Sequence, residues 1–431
     1  MQTSKINIML DLSILGKCYA NNDLKGGIFR YLDCLFEGLL NIDGNHIIPC
    51  AGGDINSPWD VADFLSTIDS DFVPDMTYSQ HQRTLSEILT SLGERVRSRQ
   101  RPILDFIKIR REVVRIVLKT LLTFVEPLDS KKLEESDLYH SPFNPIPDQV
   151  RGKFQIKRFL TVHDLIPTRF PHLVHPSQTR LQKKAIKSVG PEGWYICNSE
   201  STKNDLCEFS REINPDQVAV THLAASHHFS PCEDLEERKA VRKKYGIPED
   251  IPFVLSVCTL DPRKNLTQVI ESFVQIVEQE SISDIRLVLV GAPVRGSESL
   301  CNQIDAVGEA GKKIILTGFV DDEDLAALYS EASVFVCISL YEGFGLPLLE
   351  AMQCGLPVIA SDVSSIPEIV GDAGILVNPL DRDGICQAML DLVDNGKLSH
   401  TLSEKGLERA KQFSWDRCVE ETVDTYRKAL G

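Results

Sequence analysis

The sequence predicts an α/β protein built from two parallel, doubly wound sheets. Three observations carry that expectation. Short apolar runs rich in β-branched residues alternate with segments of helical period through both halves of the chain. Several of these runs end in glycine-containing turns, which is how a strand hands a loop to a ligand at the carboxyl edge of an open sheet. A chain of 431 residues is also long enough for roughly two to three domains, each with its own core.

In order along the chain, residues 6–10 read as the first buried strand. They are too short and too soon interrupted by Asp11 to act as a signal peptide. Lys25-Gly26-Gly27-Ile28-Phe29-Arg30-Tyr31 then turns into a helix with an apolar face of Ile28, Tyr31, Leu32, Leu35, Phe36 and Leu39. Strand, glycine turn and helix together can cradle a phosphate: glycine admits close backbone approach, and a helix N-terminus presents unpaired amides. Between residues 95 and 125, Arg95, Arg97, Arg99, Arg101, Lys108, Arg110, Arg111, Arg115 and Lys119 face only Asp105 and Glu112. Apolar residues recur there at a helical period. Two readings stand side by side, a basic amphipathic helix on an anionic membrane surface and a core-packed helix with a solvated basic face.

Residues 159–162 read as a strand that delivers His163-Asp164-Leu165-Ile166-Pro167 at its carboxyl end. Residues 194–197 read as another, with Ser199 or Ser201 capping the following helix. The polar stretch 229–250, with Pro231 and Pro248, reads as a linker and the first helix of a second domain. Strands are then expected over 253–257, 286–291, 314–320, 332–338 and 357–361. Acids at 321–324 open one helix favourably, and Phe413-Ser414-Trp415-Asp416 introduces the last. The domains are expected at 1–225 and 226–412, with 413–431 a helix crossing back to the first.

A net charge of -16 excludes a general nucleic-acid binder, since phosphate contact needs a dominant basic field. Any anion site must be built locally. Twelve cysteines lack a CxxC pair and read as reduced thiols of a cytoplasmic protein. No run approaches the roughly 20 apolar residues of a membrane span.

The most informative stretch is Glu342-Gly343-Phe344-Gly345-Leu346-Pro347-Leu348-Leu349-Glu350-Ala351. Pro347 stands where a helix would begin, because its missing N–H has no intrahelical partner there. Glu342 precedes the turn and Glu350 sits one turn into the helix. A carboxylate on either side of an anion site suits a nucleotide-sugar, which is sugar, diphosphate and ribose in that order.

Two glutamates so spaced in EGFGLPLLEA resemble the signature of retaining glycosyltransferases of family 4, whose fold is GT-B, two Rossmann-like domains facing across a cleft. The resemblance implies that Glu342 contacts the donor sugar and Glu350 the ribose hydroxyls, with Gly343, Phe344, Gly345 and Leu346 lining the donor site. Cys258-Thr259-Leu260-Asp261-Pro262-Arg263-Lys264-Asn265 is similar to the family's phosphate-binding loop, and implies that Arg263 and Lys264 clamp the leaving diphosphate. Gly26 and Gly27 would face the donor phosphate, His163 would lie near the donor sugar, and Val320 would read the base through its backbone. Relatives often have Gly-x-Gly-Arg-Tyr where this chain has Gly27-Ile28-Phe29-Arg30-Tyr31. Its second glycine is missing.

The implied activity is transfer of a hexose from a nucleotide-sugar to a hydroxyl of a glycan or lipid-linked acceptor in polysaccharide biosynthesis. GDP-mannose is the preferred donor, with UDP- and dTDP-sugars as alternatives. No cofactor and no metal are expected. Asp69-Ser70-Asp71 and Asp381-Arg382-Asp383 match a metal-binding DxD string, but so short a pattern arises by chance. The chain is expected in the cytoplasm, with peripheral contact at the inner membrane face if segment 95–125 docks there. Two alternatives share part of this pattern, a GT-B-fold sugar-nucleotide epimerase and a catalytically silent membrane-docking scaffold.

Overall fold

The apolar runs form two separate sheets. The computed structural model describes residues 5–20, 26–52, 128–279, 284–291 and 298–431, with single positions between 61 and 68. Segment 95–125 and the Asp69-Ser70-Asp71 string lie outside the described residues.

The first sheet has the order β2-β1-β3-β4-β5-β6 and the second β12-β11-β10-β7-β8-β9. Every pairing is parallel. The first sheet comprises β1 (Ile6–Asp11), β2 (Asn45–Cys50), β3 (Leu138–Ser141), β4 (Lys157–Val162), β5 (Trp194–Cys197) and β6 (Val218–Val220). The second comprises β7 (Phe253–Val257), β8 (Arg286–Val290), β9 (Ile314–Gly318), β10 (Val334–Cys337), β11 (Val358–Ser361) and β12 (Gly374–Val377). Central strands such as β1, β7 and β8 are buried almost end to end, as a sheet covered by helices on both faces requires.

Four strands escape the sequence pattern. β2 contains Pro49, which cannot donate to a ladder, but β2 is an edge strand and tolerates it. β6 and β12 are short edges. β3 is central but reads Leu-Tyr-His-Ser, too polar to stand out. Its His140 is fully buried because both ring nitrogens are satisfied, Nδ1 by the Tyr426 hydroxyl at 2.6 Å and Nε2 by Thr161 Oγ1 at 2.8 Å.

Tyr426 lies on the last helix, Trp415–Leu430, capped by Ser414 and packed on helix Gly27–Asn41 of the first half. The close approach rests on Gly38, where a Cβ would come within 2.5 Å of Val419. Tyr426→Phe is therefore expected to destabilise the protein by about 1–3 kcal/mol, since it strips a buried imidazole nitrogen of its partner. Chemical denaturation of the two proteins measures the difference. The twelve cysteines are all free thiols, and only Cys301 is exposed.

Candidate active site

In the second sheet the strand order reverses between β7 and β10, and such a switch point opens a crevice at the carboxyl ends of the strands. The two loops leaving those strands carry the residues singled out from the sequence. After β7, Asp261 caps the short 3₁₀ turn Pro262–Lys264 by accepting from the Arg263 amide at 2.8 Å. Asn265 follows in the left-handed region at φ 58° and donates to the carbonyls of Ile338 and Pro379. After β10, the loop holding Glu342 is pinned from several sides. Leu340 N donates to Arg263 O, Arg263 to Tyr341 O, Glu342 N to Ser364 Oγ, and Ser365 Oγ to the carbonyls of Glu342 and Phe344. Gly345, at φ 107°, then starts helix Leu346–Gln353, a conformation that favours glycine.

These loops put Glu342, Arg263 and Lys264 in one buried cluster. Glu342 is 8% exposed. Its Oε1 takes Lys264 Nζ at 2.5 Å and Ser339 Oγ at 2.6 Å, and its Oε2 takes Arg263 Nη1 at 2.9 Å. Burial works to raise the carboxyl pKa, but the Lys264 and Arg263 charges outweigh it and hold Glu342 at about 2. Burial likewise works against both cations, and the facing carboxylate raises their pKa values all the same. Two cations at the start of a helix call for an anion. Glu342 fills that role here.

The second glutamate lies deeper. Glu350 is 3% exposed. Its Oε1 accepts from Arg30 Nη1 at 2.6 Å, and Oε2 from the Tyr329 hydroxyl at 3.0 Å. Burial raises its pKa, and Arg30 and Tyr329 oppose the shift. Arg30 comes from the first half, and its Nη2 also binds Asp322 at 2.6 Å. Asp322 lies two residues past Val320, so this ion pair ties the 320–322 turn to Glu350. The Val320 side chain itself is in the core.

Other expected residues take less direct places. Gly343 admits a close backbone approach from the first half, since a Cβ there would lie 2.2 Å from the His163 carbonyl oxygen. The Phe344 ring packs against His222 and Phe413, leaving only its backbone for a donor. Gly27 faces the Leu346 side chain, and Gly26 precedes the helix as an exposed, extended residue with open space around it. His163 Nε2 donates to the Pro142 carbonyl at 2.9 Å, and its ring meets Tyr31 edge-on. Burial lowers its pKa to about 4. It is thus a neutral imidazole whose remaining nitrogen, Nδ1, is an acceptor. That tautomer suits a sugar hydroxyl better than a developing negative charge. Asp381 and Asp383 bind protein groups, Asp381 capping helix Arg382–Asp394 and Asp383 accepting from Gln275.

Comparison with known proteins places this geometry. A family model described as "Glycosyl transferases group 1" matches residues 237–409, which include Arg263, Lys264, Glu342 and Glu350. The O-antigen chain mannosyltransferase B of Escherichia coli is 32% identical over 295 residues, covering 67% of this chain and 74% of that protein. The chain belongs to the group 1 glycosyltransferases. A serotype-specific mannosyltransferase WbdA of Escherichia coli is 26% identical over 64% of this chain, a match that takes in 34% of that longer protein. The crystal structure of a glycosyltransferase from Rickettsia africae superposes over 99% of both chains with a TM-score of 0.66 at 16% identity, a likeness of fold. The fold is GT-B, and the protein is a glycosyltransferase rather than an epimerase or a silent scaffold.

Besides Ser339 and Tyr329, which bond to the two glutamates, the sequence reading missed Arg30. It is visible only as the fourth residue after the Gly26–Gly27 pair's start, and its partner Glu350 is 320 residues away. Three buried groups of this transferase make it sensitive to acid. Burial lowers the His140 pKa to about 3 and the His163 pKa to about 4, and Glu342 is held at about 2. In each case the unfolded chain binds the proton first, so stability is full above the unfolded pKa and falls with pH toward the folded one. The melting temperature is expected to decline below about pH 6.5 as the histidines contribute, and more steeply below about pH 4.5 as Glu342 joins them. A melting series from pH 8 to pH 3 measures it. Among the described residues, no helix is long and apolar enough to cross a membrane.

Proposed function

We propose that this glycosyltransferase is a retaining, family 4 enzyme that moves mannose from GDP-mannose to a hydroxyl of a glycan or lipid-linked acceptor. The observation that carries this reading is the buried Glu342–Lys264–Arg263 cluster at the β7/β10 switch point, with Glu350 one helical turn beyond. A diphosphate arriving there would meet two cations already charged and oriented. Lys264 has two further protons and Arg263 three further donors for the phosphate oxygens as charge grows on the leaving group.

Glu342 would be freed in part to take a sugar hydroxyl, and the amides at the start of helix Leu346–Gln353 would face the phosphate. Glu350 would exchange Arg30 for ribose hydroxyls. His163 Nδ1 would accept from the sugar. The charge on the leaving diphosphate is met by side chains and a helix terminus, so the proposed reaction proceeds without a divalent metal. The two Escherichia coli relatives are named as mannosyltransferases, which favours mannose as the transferred sugar.

The test is to incubate the purified protein with GDP-mannose and mannose-terminated oligosaccharides in EDTA, and to read the product anomer by NMR. An α-linked product, matching the donor anomer, is expected. A β-linked product overturns retention, and transfer only from UDP- or dTDP-sugars overturns the choice of donor.

A further inference from the structure

The segment Asn198-Ser199-Glu200-Ser201-Thr202-Lys203-Asn204-Asp205-Leu206 has so far served only as a helix start. Ser199 Oγ does cap helix Glu200–Phe209, accepting from the Thr202 amide at 3.1 Å. The same hydroxyl, however, donates to the Gly343 carbonyl at 2.8 Å, and Thr202 Oγ1 reaches that carbonyl at 3.3 Å. One turn further along the same helix face, Asp205 Oδ2 accepts from the Tyr341 hydroxyl at 2.5 Å. Ser199 and Thr202 are wholly buried by this contact. Positions 199, 202 and 205 recur every three residues and so share a face. Glu342 sits between the two residues that this face grips.

A second contact reinforces the first. Glu368, from helix Ile366–Val370, accepts from the amides of Glu200 at 2.9 Å and Ser201 at 3.4 Å, and from His222 Nε2 at 2.6 Å. A carboxylate of the second half thus caps a helix N-terminus of the first, where its charge is favourable. On the other side of the turn, Gly343 lies against the His163 carbonyl with no room for a Cβ.

We infer that Ser199, Thr202 and Asp205 are positioning residues for the transfer reaction, holding the 341–343 turn and so fixing where the Glu342 carboxylate stands relative to His163. Every one of these bonds joins the first half to the second. They exist only while the halves are together, so they couple closure of the cleft to the alignment of Glu342. The inference rests on the donor-site reading above for what Glu342 does. It adds that the first half sets the geometry of a residue belonging to the second.

The test uses the full-length protein and the variants Tyr341→Phe, Thr202→Val, Ser199→Ala and Ser199→Thr. Tyr341→Phe leaves the helix cap untouched, and Ser199→Thr keeps both the cap and the donor. GDP affinity is measured by titration, and kcat and KM are measured on whichever of GDP-mannose, UDP-glucose, dTDP-rhamnose and ADP-glucose the wild type turns over. The first three variants are expected to lose about tenfold or more in kcat, because small misplacements of a reacting group are costly, with GDP affinity within about twofold of wild type. Ser199→Thr is expected to retain wild-type kcat.

Unchanged kcat in Tyr341→Phe and Ser199→Ala overturns the inference. So does a parallel loss of GDP affinity, which would mark a general structural role. If the wild type turns over none of these donors, the donor-site reading fails instead. The coupling of the halves is then judged by small-angle scattering, where a Ser199→Ala/Tyr341→Phe variant with the wild-type radius of gyration overturns it and a wider one supports it.

Discussion

Glu342→Ala is expected to abolish sugar transfer while leaving nucleoside-diphosphate binding intact or tighter. The carboxylate contacts no phosphate in the proposed complex, and its charge restrains the two cations that do. Removing it leaves Lys264 and Arg263 facing each other in a buried site, and breaking such a pair costs about 3–5 kcal/mol. The free variant should therefore melt well below wild type. GDP would supply the missing negative charge, so the variant should gain more from saturating GDP than the roughly 2.7 kcal/mol that any ligand gives at about 100 times its Kd. The loss in transfer should reach at least about 10²–10³-fold, the scale for removing one preorganised group that acts on the reacting centre. Melting curves with and without GDP, beside transfer rates, measure both effects. Transfer that survives the change removes Glu342 from the reaction.

Arg30→Met should produce the second large effect. Glu350 keeps only the Tyr329 hydroxyl when the guanidinium is gone, and its burial already raises its pKa. A carboxyl whose folded pKa lies above its unfolded value makes the folded state bind the proton more tightly. Its contribution to stability is therefore present at low pH and lost as pH rises through the folded pKa. The variant's melting deficit relative to wild type should be larger at pH 8 than at pH 5. Equal deficits at the two values would mean that Arg30 does not govern the charge on Glu350. Arg30 also holds Asp322 of the second half, a contact that survives the exchange at Glu350, so the variant should close its cleft less readily.

Much of this was legible before folding. The fold class followed from apolar runs that remain buried on both faces, and Glu342, Arg263 and Lys264 from motifs that lie on two loops of one switch point. Their mutual bonding was not legible. The excess of positive charge in Pro262-Arg263-Lys264 pointed to an anion, and only the fold identifies Glu342 as the protein's own.

β3 was missed because His140 and Ser141 hide a central strand, these two side chains being satisfied by Tyr426, Thr161 and Asn144. Arg30 was missed because a pairing across the cleft leaves no local trace in either segment. Gly343 was expected to line the donor site, and on its Cβ side it makes room for the His163 backbone. The residue type signalled close approach, but not what approaches.

The proposal that this GT-B glycosyltransferase binds a nucleotide-sugar between Arg263, Lys264 and Glu350 is tested most directly by thermal stability. The purified protein is melted with GDP, UDP, dTDP and ADP and their common sugar conjugates, with and without magnesium. A rise selective for GDP and GDP-mannose, the same in EDTA as in magnesium, is the expected result. A rise that appears only with magnesium, or none with any nucleotide, would contradict it.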